Sequence, residues 1–288
     1  MNPCIIVLAN LSEAAEKAAQ YAAVLGAPVS AHLTLLHCYH DPVLLVPEMA
    51  VVTADQADRN YAESAAGLQA LAHRLPGPTE VVLSVRPMAD AVAEAVREHQ
   101  PLLLAMGLSP EHDFLDELLR NQVLPLLRAT HYPLLLVPAA APGPLVPRRV
   151  VLALDVEPFD LNAAGQRLGP LLAAWRAAYT VVHVTDGQEP VTPPRRLDLA
   201  DVRARGVVPP DAPLRLHQEL DATAADGILQ AQADTQADLV VLIARPRSFL
   251  GRRFHHSVTV DVLRRSPVPV LLVPAEAPEV PDWMPAMS

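Results

Sequence analysis

The chain has 288 residues, 51% hydrophobic but only 4% aromatic, and a formal net charge of −10 from 22 basic and 32 acidic side chains. That length fits two domains of ordinary size, and the acidic balance argues against general nucleic-acid binding. Two cysteines speak against a disulfide framework, and no apolar run reaches the roughly 18 residues of a membrane span.

The first apolar run, Ile5 to Asn10, reads as a strand that starts too early to leave room for a signal peptide. A soluble, cytoplasmic chain is therefore expected, without a membrane partner. Ser12 is placed to N-cap an alanine-rich helix reaching Leu25, with Glu13 and Glu16 in its first turns and Gly26 as its stop. Thr34 to Cys38 is a second strand. Val43 to Val52 is apolar without period, and suits either packing over the strand ends or a subunit contact. Ala54 to Leu75 reads as a helix closed by Pro76-Gly77-Pro78, Thr79 to Arg86 as a strand, and Pro87 to His99 as a helix. Leu102 to Gly107 is a fourth strand, Asp113 to Ala129 a helix, and Tyr132 to Ala139 a fifth strand.

The second half repeats the first. Val268-Pro269-Val270-Leu271-Leu272-Val273-Pro274-Ala275 copies Tyr132-Pro133-Leu134-Leu135-Leu136-Val137-Pro138-Ala139. Val150 to Asp155 matches Ile5 to Asn10, Thr180 to Val184 matches Thr34 to Cys38, and Leu239 to Ala244 matches Leu102 to Gly107. Further strands are expected near 149–155, 180–185, 213–219, 239–244 and 268–273. Runs apolar at every residue suit strands covered on both faces, and alternation with helices implies right-handed crossovers. The expected fold is α/β: two tandem doubly wound domains, each a five-stranded parallel sheet with helices on both faces. The expected boundaries are 1–140 and 147–275, followed by a Pro-rich tail, 276–288.

Asn10-Leu11-Ser12 and Asp155 closing the first strands, Leu35-Leu36-His37-Cys38 and Val181-Val182-His183-Val184 closing the second, and Pro133 to Pro138 and Pro269 to Pro274 in the fifth resemble, as an ordered and duplicated set, the Asp-x-Ser, Leu-x-His-Val and Pro-Val-Leu-x-Val-Pro signatures of the universal stress protein family. The resemblance spans nearly the whole chain, and it implies that the two five-stranded units are paired through their last strands. It implies a non-catalytic stress-response or signalling protein, and many members bind ATP at the carboxyl ends of the strands. ATP-binding members carry Gly-x2-Gly-x9-Gly-Ser/Thr after the fourth strand, where glycine backbone and a helix N-terminus cradle phosphate.

Both halves depart from that pattern. In the first, Gly107 is followed by Pro110 and then Arg120-Asn121, the loop holds Glu111, Asp113, Asp116 and Glu117, and Asn10 replaces the adenine-contacting Asp. In the second, Asp155 retains the acid, but Ala244 and Arg247 stand for the first two glycines and His256-Ser257 for Gly-Ser. Arginines grip phosphate with bidentate guanidinium forks. Asp155, Arg245, Arg247, Arg252 and Ser257 are thus the candidate anion or nucleotide site, with ATP or AMP as the ligand that would occupy it. The alternative is a solvated basic loop that pairs with the acidic loop of the first half or of another subunit. The usual ATP site is expected to be unused, and no cofactor is required. Weak ATP hydrolysis is a further alternative, as is a protein partner or a homodimer.

No catalytic or metal residues are expected. His37, Cys38, His40 and Asp41 are ligand types, but neighbours in a strand face opposite ways, and His183 repeats His37 as a strand-end histidine. His255, His256, Ser257 and Asp261 lack a nucleophile elbow, and no Walker loop or Gly-x-Gly-x-x-Gly occurs. Cys4 and Cys38 are expected to be buried structural thiols.

Overall fold

The computed structural model describes residues 3–39, 54–109, 123–155, 157–185, 198–220, 223–244 and 258–276. In the first half, β1 (Cys4–Leu8), β2 (His32–Cys38), β3 (Thr79–Ser84), β4 (Leu103–Leu108) and β5 (Leu134–Pro138) alternate with α1 (Glu13–Gly26), α2 (Ala54–Arg74), α3 (Met88–His99) and α4 (Leu124–Thr130). In the second half the strands are β6 (Arg149–Ala153), β7 (Asp160–Leu161), β8 (Ala178–Thr185), β9 (Leu214–Leu220), β10 (Leu239–Ala244) and β11 (Val270–Glu276). Its helices are α5 (Ala163–Gln166), α6 (Gly169–Trp175), α7 (Leu199–Ala204), α8 (Ala224–Thr235) and α9 (Val258–Arg265).

Every strand anticipated from the repeat is present, and together they form one sheet in the order β3-β2-β1-β4-β5-β11-β10-β6-β8-β9. Pairing is parallel within each half. The halves join by antiparallel pairing of β5 with β11, with Leu134, Leu135 and Leu136 opposite Leu272, Leu271 and Val270. All five β5 residues are buried, as is β11 up to Ala275. Strands apolar on both faces leave no solvent-tolerant side, so each fifth strand would be a sticky edge if left open. The outer edges differ: β3 is largely half-buried, and β9 carries Arg215, His217 and Glu219.

Residue alternation divides the interior into two layers that cross the junction. On one face Ile5, Val7, Leu135, Val137, Leu271 and Val273 pack with α1, α2, α6 and α7. On the other, Ile6, Leu8, Leu134, Leu136, Val270 and Leu272 pack with α3, α4, α8 and α9. Because α1 and α6 share a face, the pseudo-twofold relating the halves runs normal to the sheet.

The α1 start matches its capping signal: Ala15 N donates to Ser12 Oγ at 3.2 Å. One bond from α6 to α1 reinforces the strand junction, and two more tie α1 to the segment after β5. Trp175 Nε1 donates to Leu25 O at 3.0 Å within the buried interior, and Tyr21 Oη donates to Pro142 O at 2.7 Å. Lys17 Nζ donates to Ala139 O at 2.6 Å.

The halves are not identical. The second-half counterpart of α1 is broken into α5 and α6, because Pro170 in the first turn of α6 has no N–H to continue the α5 ladder. The residues before it form β7, unforeseen from the repeat, which pairs antiparallel with Ala275 and Glu276 beyond the end of β5. Asn162 caps α5 by accepting from Gly165 N at 2.8 Å and donates through Nδ2 to His131 O at 2.8 Å, so β7 lies in line with β5. The apolar segment Val43 to Val52 and residues 277–288 of the Pro-rich tail lie outside the described residues.

Two outcomes test this packing. Leu135→Ala and Leu271→Ala should each lower unfolding free energy by about 2–5 kcal/mol in urea titrations. Burial, and secondarily the charge of Asp238, pushes the Tyr21 phenol up to about 12. A raised folded-state pKa means stability that is intact below pH ~10 and lost as pH climbs toward ~12. The wild type should therefore lose more stability between those pH values than Tyr21→Phe.

Candidate functional site

Open parallel sheets offer a crevice where the carboxyl ends of the first and fourth strands diverge. Here there are two, at the ends of β1 and β4 and of β6 and β10. The halves run antiparallel to each other, so the crevices open at opposite ends of the sheet.

Each crevice is framed the same way. After β1, Asn10 Oδ1 accepts from Ser12 N at 3.1 Å and from the Ser12 hydroxyl. After β6, Asp155 Oδ1 accepts from Glu157 N at 3.0 Å. Both are side-chain turns of the kind Asn and Asp make two residues ahead. Asn and Asp therefore serve equally as strand terminators at this position. Asp155 is exposed and presents its carboxylate at the crevice rim.

The second strands contribute matching histidines. His37 Nδ1 lies 2.8 Å from Ala9 O, and His183 Nδ1 lies 3.3 Å from Leu154 O. Each imidazole pins the end of the central strand, in line with the strand-end reading of the sequence. His183 is only 8% exposed, which leaves it little access to a ligand. His40 and Asp41 lie outside the described residues.

The fourth-strand ends separate the halves. A Cβ on Gly107 would sit 2.0 Å from Ala14 O and 2.9 Å from Ala15 N. The first turn of α1 is thus pressed against the end of β4, and glycine is the residue that permits it. The second-half counterpart, Ala244, is buried and carries its Cβ. There the chain after β6 runs through β7 before its helix begins, so no helix turn need press on β10. This constraint was missed in the sequence, where Gly107 reads as the remnant of a phosphate loop. The duplication held a signal: glycine in one copy and alanine in the other marks a difference in packing.

Of the candidate anion residues, Asp155 alone is described; Arg245, Arg247, Arg252 and Ser257 lie outside the described residues. So do Pro110, Glu111, Asp113, Asp116, Glu117 and Arg120-Asn121 of the acidic loop, along with His255 and His256. Of the basic stretch 245–265, Arg265 is placed: its Nη1 is 2.6 Å from Asp226 Oδ1. Thr223 and then Arg265 hold the Asp226 carboxyl below the usual carboxylate range. At least this arginine pairs inside its own half, rather than with the acidic loop of the other. No helix among the described residues is long and apolar enough to cross a membrane.

The chain matches the universal stress protein family over residues 1–138 and again over residues 147–274. It belongs to that family. No curated protein matches it. Among solved structures, a universal stress protein from Archaeoglobus fulgidus DSM 4304 is similar at 17% identity and a TM-score of 0.62, covering 94% of this chain and 96% of that one. A functionally unknown protein from Pseudomonas aeruginosa PAO1 is similar at 17% identity and a TM-score of 0.56, covering 95% and 92%. At that identity the likeness establishes the fold, and the family match carries the membership. This universal stress protein is therefore a tandem one, with two doubly wound units in a single sheet.

The packing of Gly107 sets up an internal comparison. Gly107→Ala should cost about 3 kcal/mol through overpacking against the Ala14 carbonyl. Ala244→Gly in the other half should cost about 1 kcal/mol. Thermal and urea denaturation of the two variants, side by side, measures the difference.

Proposed function

We propose that this universal stress protein is a non-catalytic stress-response protein whose first half has given up ligand binding for structure. The observation that carries this reading is the closure of the α1 first turn on Gly107. The one glycine left from the family's phosphate loop in that half is accounted for by packing. The sequence around it agrees: Pro110 lacks an N–H donor, and four acids in the following loop would repel phosphate. On this reading residues 1–140 form a structural or partner-binding unit, and residues 147–275 hold whatever ligand capacity remains.

Any such ligand is a small anion, with ATP or AMP the first choices, met by Asp155 at the rim and by Arg245, Arg247, Arg252 and Ser257 in place of a glycine cradle. Asp155 suits the adenine or ribose side of a nucleotide, because a carboxylate accepts hydrogen bonds and this one is exposed just beyond the end of β6. Neither half offers the Walker loop or nucleophile elbow through which a nucleotide would be turned over.

Thermal-shift and calorimetric titrations with ATP and AMP, with and without Mg²⁺, test the reading. The expected outcome is at most one nucleotide per chain. Its saturable stabilisation should fall at least about tenfold in affinity in Arg247→Ala, through loss of a charge-assisted contact. Phosphate release from ATP should stay at background in both proteins. Two nucleotides per chain would overturn the assignment of the first half, and turnover abolished by Arg247→Ala would make the protein a hydrolase.

A further inference from the structure

Away from the first-half crevice, at the amino ends of its strands, three metal-ligating side chains converge. Cys4 opens β1, His32 opens β2 as its direct pairing partner, and His99 ends α3. One ligand atom from each lies within 4.8 Å of the other two. An acid stands beside them: Glu80 Oε1, on β3, is 3.4 Å from His99 Nδ1 and accepts from Thr34 Oγ1 at 2.6 Å. Thr34 Oγ1 also lies 3.5 Å from Cys4 Sγ. Four separate elements bring these groups together, so no local turn motif explains their meeting.

The duplicated half provides an internal control. Its strand registers equate Cys4 and His32 with Arg149 and Ala178, and Glu80 with Arg215. The left-handed caps Gln100 and Gln236 equate His99 with Thr235. The same fold is therefore built in the second half with Arg, Ala, Arg and Thr, none of which can replace a thiolate, two imidazoles and a carboxylate. The cluster is not something the architecture demands.

We propose that Cys4, His32 and His99 bind one divalent cation of the zinc class, with Glu80 holding His99 through its second ring nitrogen. One sulfur and two nitrogens are the donor set of borderline-soft metals, which take tetrahedral sites with bonds of about 2.0–2.3 Å. Ligand atoms of such a site lie roughly 3.5 Å apart, so small rotamer adjustments close the present separation. Binding deprotonates the Cys4 thiol, and the proton passes to solvent. Both imidazoles bind neutral, and water completes the fourth position. Glu80 stands where an acid orients a ligating histidine, and Thr34 fixes the acid in turn. The ion ties β1, β2 and the end of α3 together, making the stability of the first half depend on the cation.

Cobalt(II), a spectroscopic substitute for zinc, tests this on the full chain after chelation. One equivalent should produce a thiolate-to-cobalt charge-transfer band and the intense visible absorption of a tetrahedral site. Zn²⁺ should displace it and raise the melting temperature. The band should vanish in Cys4→Ala and persist in Cys38→Ala. Cobalt affinity should fall at least about tenfold in Glu80→Gln. His99→Gln changes a half-buried helix end, and circular dichroism establishes that this variant is folded. Folded His99→Gln that loses both the band and the Zn²⁺ stabilisation supports the site. Absence of the band in folded wild type, or its survival in Cys4→Ala or His99→Gln, overturns it.

Discussion

The antiparallel pairing of β5 with β11 is the constraint on which the rest depends. Each half ends in a strand that is buried on both faces, and a strand of that kind must have a neighbour on each edge. Each fifth strand has one parallel neighbour from its own half, and the other half supplies the second. Leu134, Leu135, Leu272 and Leu271 thereby become part of two hydrophobic layers that run uninterrupted through both units. Trp175 then reaches across from α6 to the Leu25 carbonyl of α1, while Tyr21 and Lys17 tie α1 to the segment that follows β5.

That junction has a functional consequence. Parallel strands in each half, joined antiparallel, place the two crevices at opposite ends of the sheet. No ligand can be shared between them, so each half is free to change alone. The first has pressed α1 onto Gly107, while the second has inserted β7 and broken the helix that would do the same. The amino-end cluster of Cys4, His32, Glu80 and His99 belongs to the first half only, and the opposed strand directions put it on the same end of the sheet as the second-half crevice.

What stayed common is local. Asn10 and Asp155 both turn back on the backbone two residues ahead, and His37 and His183 both bond the carbonyl that closes the central strand. These bonds satisfy backbone groups left over where strands diverge, a need set by the fold whatever ligand binds. Asp155 serves as a terminator in an exposed position, so the ligand role proposed for it would add to a structural one.

Much of the fold was written in the chain because it rests on local pattern and on repetition. Ser12, Gly26 and Pro76-Gly77-Pro78 punctuate helices through caps and breakers, and runs such as Leu134 to Val137 can be stable only as covered strands. The resemblance to the universal stress protein family then implied the central pairing, and the two apolar, Pro-preceded last strands suited it. Tertiary structure decided what depends on proximity between distant segments. Whether Gly107 marks a phosphate loop or a helix contact is set by where Ala14 lies. Whether Asp160 and Leu161 form a strand is set by the free end of β11. Cys4, His32, Glu80 and His99 read as unrelated residues along the chain, because it is parallel strand register, which no short-range pattern encodes, that brings them together.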